Sequence, residues 1–204
     1  MSNQNAPFGL MPLGLSNAPS TPAFSLDNSR KIANGNTNVI GRGDPLINLN
    51  TGYVDRISGT PDTTVASQYC GVFWGCSYTS VALGRRVTVP YYPGGDAVGD
   101  IDVQMIPLIG STPMLFQIQA LANPVTFADI GQNGQFSYAA GTAFSGFFRS
   151  GVTLDTTLNT TATFPLRIRG LYSQMSARNA PGTDDASNYN IVIVQFNAMQ
   201  ETGI

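Results

Sequence analysis

Apolar and polar side chains alternate with period two in several stretches of this chain. Ile101, Val103 and Met105 alternate with Asp102 and Gln104, and Phe116, Ile118 and Ala120 alternate with Gln117 and Gln119. Leu166 and Ile168 alternate with Arg167 and Arg169. Each stretch predicts a strand with one wet face. The run from Tyr189 to Phe196 is almost continuous Ile and Val, which predicts a central strand buried on both sides. Turn signals fall between such runs, at Pro93-Gly94-Gly95-Asp96, Gly110-Ser111-Thr112-Pro113, Gly131-Gln132-Asn133-Gly134 and Pro181-Gly182. Only the stretch from Val125 to Ile130 invites a short helical turn. The pattern predicts an all-β fold, a jelly-roll-like sandwich or barrel with little helix.

The first part of the chain breaks this rhythm. Pro7, Pro12, Pro19 and Pro22 interrupt residues 1–35, a spacing expected to exclude both helix and ladder strand. The same segment holds Phe8, Leu10, Leu13, Leu15 and Phe24, with few charges. It is therefore expected to be an extended N-terminal arm that orders by packing across a neighbouring subunit, with residues 36–204 as the β-rich body.

Composition narrows the chemistry. Among 204 residues there is no histidine, lysine occurs only as Lys31 and glutamate only as Glu201. The usual general bases, activated nucleophiles and transition-metal ligands are missing, so neither an enzyme nor a cofactor- or metal-dependent protein is expected. Charged residues are 11% of the chain, against about 25% in ordinary domains, and Gly, Thr, Ser and Asn stand in their place. That exchange penalises helices and suits strands joined by turns. The net charge is −2, and basic residues form no run longer than Arg30-Lys31 or Arg85-Arg86. No nucleic-acid footprint is visible. No apolar run reaches the roughly 20 residues that span a bilayer, and no secretory leader pattern opens the chain, so synthesis in the cytoplasm and no membrane partner are expected.

Several local motifs tempt a sharper reading. Cys70 and Cys76 flank Gly71-Val72-Phe73-Trp74-Gly75. On an extended strand their Cα atoms would stand roughly 20 Å apart, too far for a disulfide, and no further Cys or His completes a zinc site. Strict alternation would put Cys70, Val72, Trp74, Cys76 and Tyr78 on one face, with the thiols as small core hydrophobes. Gly71 and Gly75 leave room beside Phe73 for a subunit contact or for an internal bulge or crossing. Asp96, Asp100 and Asp102 do not have calcium-loop spacing. Arg42-Gly43-Asp44 spells an integrin-recognition tripeptide, but turn chemistry before Pro45 explains it more cheaply. Tyr91 and Tyr92 on a turn would suit stacking on sugar rings, the basis for an alternative reading as a carbohydrate- or receptor-binding sandwich of a virion fibre or adhesin. Arg167 and Arg169 share one wet face that could meet an acidic partner.

Ordered along the chain, Ala6-Pro7-Phe8-Gly9-Leu10 with Pro12, Gly71-Val72-Phe73 with Gly75-Cys76 and Tyr78, Pro90-Tyr91-Tyr92-Pro93-Gly94, Phe116 with Ile118-Gln119-Ala120, and Pro165-Leu166-Arg167-Ile168 with Gly170-Leu171 resemble tailed-bacteriophage virion structural proteins. The resemblance is to head decoration, or cement, proteins. It implies a β-rich subunit, a homotrimer, on the outer surface of the expanded head of the virion, clamping neighbouring capsomers of the major capsid protein. It implies no catalytic residues. Pro7, Phe8, Leu10, Leu13, Leu15, Phe24, Arg167 and Arg169 are the candidate capsid or subunit contacts.

Overall fold

The computed structural model describes residues 3–15, 24–108, 114–144, 146–172 and 186–197. The chain runs through β1 (Met11–Leu15), β2 (Lys31–Ile32), β3 (Pro45–Asn48), β4 (Val54–Arg56), β5 (Tyr69–Ser80), β6 (Arg86–Val89), β7 (Ala97–Pro107) and β8 (Met114–Gln119). It continues through β9 (Asn133–Gly134), β10 (Phe136–Ser137), β11 (Thr142–Phe144), β12 (Phe147–Arg149), β13 (Thr153–Leu154), β14 (Leu166–Leu171) and β15 (Ile191–Phe196). The sheets are antiparallel, and the helical content among the described residues is two short 3-10 turns, Ala66–Gln68 and Phe127–Asp129. The second falls in the stretch where a helical turn was predicted, and Thr126 and Asp129 cap it reciprocally.

Two larger sheets carry the fold. One has the order β1-β8-β15-β14-β9; the other has the order β2-β7-β5-β3-β4, with β6 also pairing β5, and it curls into a nearly closed barrel. Bonds across the mouth of the curl help close it: Tyr53 donates its hydroxyl to Asp100 at 3.0 Å, and Asn38 donates to Asp55 at 2.8 Å.

Strand β5 serves two cores at once. Tyr69 and Val72 join Ile106, Phe116, Ile118, Leu166, Ile168, Val192 and Val194 in the core against the first sheet. Cys70, Phe73, Cys76 and Tyr78 point into the barrel with Ile32, Leu46, Ile101, Val103 and Met105. Predicted alternation on β7 and β14 holds, with Ile101 and Val103 inside on one and Leu166 and Ile168 on the other, all fully buried. On β5 it does not. The ladder shifts register opposite Leu46 and Ile47, again between Phe73 and Gly75, and again between Ser77 and Thr79. Each irregularity rotates the following side chains relative to strict alternation, so Cys70 and Val72 face different cores. Trp74 is half-buried rather than part of one continuous apolar face. The space beside Gly71 and Gly75 is filled from within: a Cβ would come 2.6 Å from Met105 Sδ at the first, and 3.1 Å from Gln104 Oε1 at the second.

β15 is the middle strand of its sheet, as expected, but it is not buried on both sides. Val192, Val194 and Phe196 face the core while Ile191, Ile193 and Gln195 are half-buried.

The leader requires the largest correction. Residues 3–15 and 24–35 are part of the body, not an arm separate from it. Leu10 is fully buried in the first core, and β1 pairs β8 although it contains Pro12. A proline is tolerated there because β1 is an edge strand, where one side of the ladder needs no donor. Leu10 N–H donates to Gly43 O at 2.8 Å. Gly9 and Gly43 both take positive φ, +73° and +92°, and a Cβ on Gly9 would lie 2.6 Å from Gly43 O, so only glycine permits this crossing of backbones. Gln119, expected on a wet face, is 4% exposed because the leader covers it: its amide donates to Gln4 O at 2.8 Å and accepts from Ala6 N–H at 3.0 Å.

Candidate functional site

Gly146 lies at the turn between two short strands that end at Phe144 and begin at Phe147. Gly146 adopts φ +81° in the turn, and β11 and β12 pair Thr142 with Arg149, Ala143 with Phe148 and Phe144 with Phe147. Period two then sorts the side chains. Ala143 and Phe148 take one face, and Phe148 anchors the hairpin to the body. Its ring stacks on Tyr91, centroids 5.8 Å apart, and lies against Gly41 and Gly141, where any Cβ would collide with it. Thr142, Phe144, Phe147 and Arg149 take the other face. Phe144 is 74% exposed and Phe147 66% exposed. Two aromatic rings are thus held in solvent on a hairpin whose opposite face is fixed.

A trough of about 660 Å³ lies beside this hairpin. Phe8 and Pro7 from the leader, Arg42, and the hairpin's Phe144, Phe147 and Arg149 line it, and its lining contains no acidic residue. Its size is that of a ligand site, roughly 300–1,000 Å³. Arg42 is held in place by its Nε, which donates to Trp74 O at 3.2 Å, and by the Trp74 ring, 4.5 Å from its guanidinium carbon. The backbones of Arg42 and Arg149 form a parallel bridge, which brings both cations to one wall.

Asp44 sits two residues from Arg42 and is buried, 2% exposed. Its Oδ2 accepts the Gly41 N–H at 2.8 Å, and its Oδ1 is buried without a hydrogen-bond partner. Burial pushes its pKa up to about 6, against the lowering effects of Ser150, the Gly41 N–H and the Arg56 charge. A buried Asp44 offers nothing to a receptor, so the Arg42-Gly43-Asp44 tripeptide is a turn into the core.

The expected contact residues scatter. Pro7 and Phe8 are half-buried and line the trough. Leu10 is wholly inside and cannot meet a capsid. Leu13 is half-buried on β1. The backbone of Leu15 pairs with Met114, while its side chain lies outside the described residues. Phe24 packs edge-on against Trp74 at 5.3 Å, within its own subunit. Arg167 and Arg169 are exposed on β14, on a different sheet from the hairpin.

Asp96, Asp100 and Asp102 do separate jobs. Asp96 accepts from Ser80 Oγ and Ala82 N–H, bonds that hold its carboxyl below the usual range. Asp100 accepts from Tyr53 and Asn34, and Asp102 pairs with Arg86 and Lys31. Among the described residues no three His, Cys, Asp or Glu side chains come together as a metal site. The tyrosines proposed for sugar stacking are both engaged by the chain itself: Tyr92 is fully buried with its hydroxyl on Asn36 O at 2.9 Å, and Tyr91 carries Phe148.

Sequence reasoning passed over Phe144, Phe147 and Arg149, and weighed Arg42 only as part of the Arg42-Gly43-Asp44 turn. The signal was a Ser-Gly turn flanked directly by phenylalanines, where a surface hairpin would ordinarily carry polar residues. No protein-family model, curated protein or solved structure matches this chain.

Proposed function

We propose that this protein is a decoration, or cement, protein of a tailed-bacteriophage virion. It binds the outer surface of the expanded head as a homotrimer and bridges neighbouring capsomers of the major capsid protein. The observation that carries this reading is the hairpin: Phe144 and Phe147 stand in solvent beside two arginines, and a fixed apolar surface of this kind suits a protein contact. The all-β fold and the ordered motif resemblance support it. The weight first given to the leader passes to the hairpin, because Leu10 and Phe24 are committed to their own subunit while Pro7 and Phe8 contribute only to the trough beside the hairpin. Multiple grips explain durability: once one subunit of a trimer is seated, the others bind at effective concentrations that reach the mM range.

The test is co-sedimentation of the purified protein with expanded heads stripped of surface proteins. Saturable binding at a fixed ratio to the major capsid protein is expected, together with a trimer mass by light scattering. A protein that stays in the supernatant across salt concentrations would sink the proposal.

A further inference from the structure

The outer edge of β11 is the second unusual feature of this region. β12 is flanked by β11 on one side and bridged to Arg42 on the other, so the short sheet ends at β11. Among the described residues the outer edge of β11 has no strand partner, and Thr142, Ala143 and Phe144 are all exposed. Exposed edges invite strand addition, and proteins commonly blunt them with lysine, proline or a covering loop. β11 has none of these within its three residues. Its Thr142 and Phe144 form part of the trough wall.

We propose that this edge recognises an extended segment of a partner protein by strand addition, with alternate apolar side chains seated on the face that carries Phe144 and Phe147 and a carboxylate met by Arg149. The charge assignment follows from the lining: one guanidinium on that face, no acid in the trough beside it, and no ion pair to Arg149 among the described residues. Backbone bonds to the edge supply affinity without regard to sequence, while the rings and the arginine supply selectivity. The inference rests on the decoration reading only for the source of the segment, the capsid protein; its chemistry comes from the hairpin.

Fluorescence anisotropy with labelled peptides tests it on the full chain. The probes are alternating valine/polar peptides, identical but for Glu, Gln or Lys at two polar positions, and a Glu peptide N-methylated at alternate amides. The Glu peptide is expected to bind about tenfold or more tighter than the Lys peptide, with the Gln peptide between them. Arg149→Glu should reverse that order, and Phe144→Ser with Phe147→Ser should weaken binding by about tenfold or more. One N-methylation register should abolish binding. Both phenylalanines are exposed, so a melting curve equal to wild type will show that the double variant folds. Equal affinity for all three peptides, no effect of the double variant, or self-association that the double variant abolishes would each overturn the proposal, the last by making a second copy the occupant. Peptide binding without head binding would remove the decoration reading and leave the edge; head binding unaffected by Phe144→Ser/Phe147→Ser would do the reverse.

Discussion

Phe148 lies on Tyr91 with the two ring planes 22° apart, and this one contact decides which face of the β11–β12 hairpin belongs to the body. Its neighbour Phe147, one residue earlier, is turned into solvent by the strand pleat. Phe148→Ala is expected to cost about 1–3 kcal/mol, less than a fully buried phenylalanine because the ring is half-covered. Phe147→Ala should stay within about 0.5 kcal/mol of wild type. Urea unfolding of the two variants checks the contrast, and equal midpoints would mean that the hairpin is not anchored through Phe148.

Leu10 makes the leader a structural element. Leu10→Ala should destabilise the protein by about 2–5 kcal/mol, since it opens a cavity in the core against the first sheet. Chemical unfolding with a two-state fit measures this directly. An unchanged midpoint would return the leader to the role of a loosely attached arm.

Asp44 gives the fold an unusual pH response. In the folded protein it titrates at about 6, against an ordinary value of 3.8. Between those values the unfolded chain has released the proton while the folded chain keeps it, so this group's stability contribution is intact below about pH 4 and is lost as pH rises towards 6. Asp44→Asn should therefore flatten the pH dependence over that window and raise stability at pH 7 relative to wild type, by on the order of 3 kcal/mol. Urea midpoints of both proteins across the window provide the measurement; parallel curves would show that Asp44 carries no such penalty.

Cys70 and Cys76 are free and buried, and burial pushes both thiols up to about 12. Neither should react with a thiol reagent in the native protein at pH 8, because little thiolate forms and access is closed. Both should label after unfolding without reductant, which an intact-mass shift of two adducts would verify. Each thiol's contribution to stability is present below its ordinary value near 9 and is lost as pH rises from there towards 12. Rapid labelling of the native protein would contradict the burial of Cys70 and Cys76 on either side of Phe73.

The fold class was legible because it depends on local chemistry. Period two in 101–105 and 166–169 needs only a wet side and a dry side, and both strands follow it. The short turn at Phe127–Asp129 was legible for the same reason, since Thr126 and Asp129 form a capping box by themselves. β5 was misread because a bulge belongs to a pair of strands. Gly71 and Gly75 offered an internal bulge as one of two readings, and the register does slip beside them, but which side chains that rotates is set by the partner strands.

The candidate site was less legible than the fold. A run such as Phe144-Ser145-Gly146-Phe147 reports a hairpin, but whether its aromatics point in or out depends on where Tyr91 and Gly41 stand in space.

By itself, then, the sequence determined an all-β chain poor in acid–base side chains, because residue type and alternation act over a few neighbours. Only the tertiary structure decided that the proline-rich leader is an edge strand over its own core and that Phe144 and Phe147 remain outside. Those outcomes turn on contacts between residues far apart in the chain, Leu10 with Gly43 and Phe148 with Tyr91, where burial is settled by what the fold brings alongside.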